Sequence, residues 1–301
     1  MRLDDLIWSA TPTPFLADGS LDDGALERLV AQHRRLGVQG LFLGGTCGEG
    51  PFMPNTQRAE LVQTIRRLNG SALHLAVQVS DTSARRVREN TAQAVDAGAD
   101  SVVIAAPWLR SFVNREFARR YFFESLETPC PVPIGIYMLP QPPETGIDLA
   151  LWQEIVEHPQ VKYVKDSTNS DDCCHMLLSV KRRRGELVVR SGYEFDFLRP
   201  LQAGYDGCLL GTAILNAGLM ARAARALLDG DLATARVWQE RNNQLLYDLF
   251  RPDLSAWMSG LKYALCRVGI FSTEYSHLAD PLTADDRRRI DAALERERAY
   301  L

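Results

Sequence analysis

No stretch of this chain approaches the ~20 consecutive apolar residues that a membrane-spanning helix needs, so a membrane is not an expected partner. Charge of one sign is equally scarce. Lys and Arg number 34 against 38 Asp and Glu, a net charge of −4. Without a basic field, nucleic acid is not an expected partner either. Cysteine is sparse, with six in 301 residues and one adjacent pair at Cys173-Cys174. The six form neither a disulfide framework nor a paired C-x-x-C zinc pattern. The five histidines (33, 74, 158, 175 and 277) show no i, i+4 spacing around a carboxylate base, so no metal site is expected. The opening Met1-Arg2-Leu3-Asp4-Asp5 is acidic and lacks the apolar core of a signal peptide. With the cysteine usage, this points to a reducing, cytoplasmic setting.

What is present is a repeating alternation. The apolar segment 6–10 ends in the proline-rich Thr11-Pro12-Thr13-Pro14-Phe15, where a central strand cannot continue. Ser20 followed by Asp23 resembles a capping box. Leu26, Leu29, Val30 and Leu36 then keep helical spacing until Gly37. Strand 40–43 runs into the loop Gly44-Gly45-Thr46-Cys47-Gly48-Glu49-Gly50. The pattern predicts further strands over 73–79, 102–105, 133–138, 161–165, 187–191 and 207–211. It predicts helices over 54–68, 83–97, 114–127, 149–157 and 171–184, a short one reaching Gln202, and another from Ala217. The strands are apolar nearly throughout, as strands buried on both faces should be. Eight such β/α units predict an α/β fold of the closed (β/α)8 TIM-barrel kind, with a doubly wound open sheet as the alternative. After about Leu228 the strands cease, and 231–249, 255–268 and 283–299 read as helices. The expected organisation is a barrel carrying the active site over 1–228 and a C-terminal three-helix extension over 229–301.

In a barrel the chemistry sits at the C-terminal ends of the strands. Val161-Lys162-Tyr163-Val164-Lys165-Asp166-Ser167-Thr168 is a short strand ending in a lysine. Alternation puts Val161, Tyr163 and Lys165 on one face and Lys162 and Val164 on the other. Burial disfavours the charged form of a lysine, and a neutral amine attacks keto groups to form a Schiff base. An ion pair from Lys165 to Asp166 or Glu194 is the structural alternative. Tyr137 ends another strand, where its hydroxyl could relay protons or simply pack. The 44–50 loop offers backbone N–H groups and the Thr46 hydroxyl to an anion. It lacks the G-K-[ST] of a P-loop, and a tight turn is its plain alternative. Cys47 has no histidine placed near it in sequence, which speaks against a cysteine hydrolase. On the residues alone, Glu194 could bind substrate hydroxyls or cap the next helix, the cap being the favoured reading, and Cys173-Cys174-His175 reads as packing. Lys181-Arg182-Arg183-Arg184 reads as positive charge closing a helix.

Taken together, these strand ends resemble the family of dihydrodipicolinate synthase and N-acetylneuraminate lyase. Thr13-Pro14-Phe15 with Asp18-Gly19 looks like its T-P-F…D-G, and Gly45-Thr46-Cys47-Gly48-Glu49 like its G-T-T-G-E, with cysteine for the second threonine. Tyr137-Met138-Leu139-Pro140 looks like Y-N-x-P, and Lys165-Asp166-Ser167-Thr168 like K-[ED]-[AST]-[TS]. Ser191-Gly192 and Gly204-Tyr205-Asp206-Gly207 match later elements. The resemblance implies a (β/α)8 barrel and a Schiff base between Lys165 and a 2-oxo acid such as pyruvate, with no cofactor beyond that imine. It implies proton transfer by Tyr137, with Thr46 as relay, and carboxylate binding by the amides of Thr46 and Cys47. Further substrate contacts would come from Gly45, Gly192, Glu194 and the carbonyl of Leu209. It also implies a homodimer or homotetramer.

Departures narrow the substrate. Synthases of the lysine pathway carry an arginine shortly after Y-N-V-P, but Gln141-Pro142-Pro143-Glu144-Thr145-Gly146 has no basic residue. Leu109 stands where they have a tyrosine in P-Y-Y, although Arg110 follows. Sialate lyases place an acidic pair in the seventh-strand loop; Glu194 matches the first and Phe195 replaces the second. The expectation is a pyruvate-type class I aldolase, a lyase acting on another 2-oxo acid, with a sugar-derived one among the candidates. The alternatives are a Schiff-base dehydratase of a deoxy sugar acid, a true dihydrodipicolinate synthase, and an inactive binding homologue.

Overall fold

The eight apolar segments pair edge to edge. The computed structural model describes residues 5–301 except Thr128 and Ala279. Its strands are β1 (Ile7–Ser9), β2 (Gly40–Leu43), β3 (His74–Gln78), β4 (Ser101–Ala105), β5 (Ile134–Met138), β6 (Val161–Asp166), β7 (Val188–Ser191) and β8 (Gly207–Leu210). They lie parallel in chain order, and β8 closes on β1. Closure removes the sheet edges and decides against the open sheet. Around the barrel run α1 (Asp23–Arg35), α2 (Asn55–Asn69), α3 (Ala84–Asp96), α4 (Arg115–Leu126), α5 (Leu149–Glu157), α6 (Asp171–Arg184), α7 (Leu198–Ala203) and α8 (Ala213–Leu228). The acidic stretch up to Asp4 and the side chain of Arg110 lie outside the described residues.

Short polar side chains start most of these helices. Ser83, Asn114, Asp148 and Ser170 each accept a hydrogen bond from the backbone N–H three residues on, satisfying one orphan donor of the first turn. The capping box expected at Ser20 does not form. Asp22 caps α1 by accepting from Ala25 N, while Ser20 turns back to donate to Asp18 Oδ1. A true capping box joins Thr283 and Asp286 at the last helix. The start of α8 lies at Ala213, before the expected Ala217, because Thr212 ahead of it makes no capping hydrogen bond with its own side chain.

The barrel lumen is filled from the N-terminal end by a polar-aromatic layer. The Trp8 and His74 rings lie tilted at 33° with centroids 4.6 Å apart, and the Arg190 guanidinium lies 4.4 Å from the Trp8 ring while pairing with Asp5 at 2.6 Å. Ser101 Oγ sits 2.9 Å from Tyr163 Oη and 2.7 Å from His74 Nε2. Gly135 makes room for this layer, since a Cβ there would lie 2.3 Å from the Tyr163 ring.

The register of β6 against β5 shifts once. Ile134 faces Val161, but Gly135 faces Tyr163, so Lys162 is the extra residue. Tyr163 and Lys165 therefore share the lumen face as expected, whereas Val161 turns outward with Ile134. Above the shift, Tyr137 pairs directly with Lys165.

The C-terminal extension comprises α9 (Leu232–Phe250), α10 (Trp257–Arg267) and α11 (Ala284–Glu297). Its buried Leu245, Leu246, Leu249, Leu261 and Leu265 are continuous with the core around the barrel. Among the described residues, no helix is long and apolar enough to cross a membrane. Gly135→Ala is expected to destabilise the fold by about 1–3 kcal/mol, the usual cost of overpacking. Denaturant unfolding checks this; an unchanged midpoint would show that Tyr163 can yield.

Candidate active site

The end of β6 delivers Lys165 into a cavity of about 170 Å³ at the C-terminal mouth of the barrel. The lysine side chain is 5% exposed. Its amine lies 4.3 Å from the centre of the Tyr137 ring and 5.2 Å from that of Phe42. The ion pair considered from sequence does not form. Asp166 accepts instead from Tyr205 Oη at 2.7 Å and from Thr168 Oγ1 at 2.7 Å, and Glu194 is engaged elsewhere. Among the described residues, no carboxylate comes within ion-pair distance of Lys165. Gly192 clears a path for the lysine stem: a Cβ there would stand 2.8 Å from Lys165 Cε.

Thr46, Cys47, Tyr137, Gly192 and Glu194 line the same cavity as Lys165. Gly45 and Leu209, also expected at the site, are not among the residues lining it. Gly45 packs against the Phe42 ring, and Leu209 is fully buried. Among the described residues no hydrogen bond links the Tyr137 and Thr46 hydroxyls; Thr46 is exposed, whereas Tyr137 is buried edge-on against Phe42 at 5.8 Å. Cys47 donates to Gly211 O at 3.6 Å. Burial first, and then Glu194, push its thiol far above the ordinary range despite Lys165 and Lys262 nearby. Such a thiol is not a nucleophile at neutral pH.

Glu194 does cap a helix, but not the next one. Its Oε1 accepts from Thr212 N at 2.9 Å, at the start of α8. Burial raises its pKa, opposed by the Thr212 N–H, Lys165 and the Gly211 N–H. The loop carrying it is pinned by α9. Gln239 Nε2 and Asn242 Nδ2 donate to Glu194 O, and Asn243 Nδ2 donates to Phe195 O. Sequence reasoning missed these amides, although Gln239, Asn242 and Asn243 share one face at i, i+3, i+4 spacing. It also missed Phe250, Trp257 and Leu261, which bring an apolar wall from the extension to the cavity. Larger clefts of about 490, 660 and 280 Å³ lie between α1 and α10–α11, at the opposite end of the barrel, and beside α3 and the 129–131 segment. None of the three gathers strand-end chemistry, so the cavity at Lys165 is the candidate site.

The Dihydrodipicolinate synthetase family model matches residues 5–297. The chain belongs to that family. Its members act as lyases, the coarse activity that this membership assigns. A 4-hydroxy-tetrahydrodipicolinate synthase of Rhizobium meliloti is 31% identical over 267 residues, 87% of each chain. The N-acetylneuraminate lyase of Shigella boydii is 25% identical over 268 residues, 88% of this chain and 87% of its own. YagE, a prophage protein of the dihydrodipicolinic acid synthase family from E. coli K12 solved in complex with pyruvate, superposes with a TM-score of 0.82 at 23% identity, over 99% of each chain. That last likeness carries the fold. The family spans both synthases and lyases, so the acceptor must be argued from this chain's own cavity.

Gly192→Ala should displace the lysine stem while leaving the flexible neighbours to absorb most of the strain. We expect trapping of a 2-oxo acid by borohydride to slow about 100-fold, the cost of roughly an ångström of misplacement, with little change in melting temperature. Unchanged trapping in the folded variant would show that Gly192 does not set the position of Lys165.

Proposed function

We propose that this protein is a pyruvate-type class I aldolase acting on a 2-oxo acid whose remaining chain is hydroxylated and uncharged, such as a sugar-derived one. The observation that carries this reading is Lys165 itself: a buried amine at a strand end, with no carboxylate partner among the described residues, against the Tyr137 ring. The amine attacks the keto carbon of the substrate, and loss of water leaves a protonated imine. A base, Tyr137 relayed by Thr46, takes the proton from the hydroxyl on the carbon two places beyond the imine carbon. The bond between that hydroxyl-bearing carbon and the carbon next to the imine then breaks, its electron pair moves toward the imine nitrogen, and an aldehyde departs. The resulting enamine regains a proton on carbon from the same tyrosine, and water hydrolyses the imine to release pyruvate and free Lys165. General acid–base transfer of this kind contributes about 10²–10⁴-fold. The amides of Thr46 and Cys47 would hold the carboxylate. Lys165 supplies the electron sink through its imine, and the reaction needs no cofactor besides it.

The acceptor half supports an uncharged partner. Among the described residues lining the cavity, Lys165 is the sole cation, while Glu194 can accept from hydroxyls and Phe250, Trp257 and Leu261 are apolar. A second carboxylate would have no counter-charge there. One further reading, a dehydratase, is supported by Glu194 lining the cavity with Lys165, where burial raises its pKa and so makes its carboxyl a better proton donor to a departing hydroxyl. A homodimer or homotetramer is part of the proposal. It is supported by Leu109 and Phe112, which stand exposed in the loop after β4.

A panel of hydroxylated 2-oxo acids, followed for pyruvate release, tests the reading. Pyruvate should appear with the matching aldehyde, and condensation of pyruvate with aspartate semialdehyde should be slight. Dehydration without pyruvate release would assign the dehydratase. Robust condensation with the semialdehyde would assign the synthase.

A further inference from the structure

Among the described ion pairs, only that between Glu49 and Lys262 has both side chains fully buried, with Nζ 2.8 Å from Oε1. The reaction above uses neither residue. Removing two charges from water is expensive, and apolar residues of the same volume often stabilise as well or better. Stability alone therefore does not account for the pair. Its contacts converge on one element. Glu49 sits in the left-handed region, φ 56°, at the base of the 44–50 loop, and its N–H donates to Thr46 O. Its Oε2 accepts from Ser276 Oγ at 2.9 Å and from His277 N at 2.7 Å. Lys262 also donates to Thr13 O at 2.5 Å, and Thr13 Oγ1 in turn donates to Gly48 O at 2.7 Å. The ammonium rests 4.7 Å from the Phe15 ring. Thus α10 and the 276–277 segment, both in the extension, grip the loop that carries Thr46 and Cys47 from beneath.

We infer that Glu49 and Lys262 are positioning residues for recognition of the substrate carboxylate. They fix the loop so that the Thr46 and Cys47 amides face the cavity of Lys165, and they make the extension part of the frame of the site. The pair is neutral as a unit, so it acts by geometry and adds little net field at the carboxylate. This rests on the reading of the cavity as a 2-oxo acid imine site.

The test compares borohydride trapping of pyruvate with that of its neutral methyl ester, since a general loss of stability would lower both alike. Lys262→Met and the double variant Glu49→Gln/Lys262→Met remove the pair, and Ser276→Ala loosens one anchor. In Lys262→Met the preference for acid over ester should fall about tenfold or more, within the range that small displacements cost. The double variant should recover melting temperature, because no unpaired charge stays buried, yet keep the lost preference. Ser276→Ala should shift the same ratio less. An unchanged ratio in the folded variants, or its return to the wild-type value in the double variant, would overturn the inference. Should Lys262→Met fail to fold, the double variant and Ser276→Ala decide it. Wild-type protein that traps neither compound would instead sink the imine reading, and this inference with it.

Discussion

A lysine stem threaded past a glycine and set against two aromatic rings is the constraint on which this structure depends. Lys165 reaches the barrel mouth because β6 pairs with β5 in the register that places it beside Tyr137. That register follows the one-residue shift at Lys162, below which Tyr163 covers Gly135 and closes the lumen. With the floor sealed by Trp8, His74, Tyr163 and Arg190, the chain's free amine can face only the mouth. Its natural partner Asp166 points to the other face, held by Tyr205 and Thr168. The separation of adjacent opposite charges onto opposite faces of a strand keeps the amine without an ion-pair partner.

The second constraint comes from the far end of the chain. The extension supplies an apolar wall through Phe250, Trp257 and Leu261 and amide pins through Gln239, Asn242 and Asn243. It also sets Lys262 beneath the glycine-rich loop. The barrel thus supplies Lys165, Tyr137 and Thr46 to the cavity, and the extension supplies its apolar wall and pins the loop of Glu194.

The barrel was legible in the sequence because strands buried on both faces leave apolar runs that helices with one buried stripe do not. The strand ends were legible for the same reason: a lysine or tyrosine closing such a run is conspicuous. Most of the candidate site followed, with Lys165, Tyr137, Thr46, Cys47, Gly192 and Glu194 lining one cavity. Val161 was misplaced because periodicity cannot register a one-residue shift. The partner of Glu194 was misplaced because the helix it caps begins at Ala213, 19 residues later, without a side-chain cap of its own. The inward residues of the extension were invisible as site residues. An amphipathic pattern shows that a face is buried but not what it is buried against.

The central claim is that Lys165 carries the substrate as an imine. Reduction with borohydride in the presence of pyruvate, followed by proteolysis and mass spectrometry, tests it directly. The account predicts one stable adduct, on the peptide containing Lys165, absent from Lys165→Ala. An adduct on another lysine, or one that survives Lys165→Ala, would contradict it.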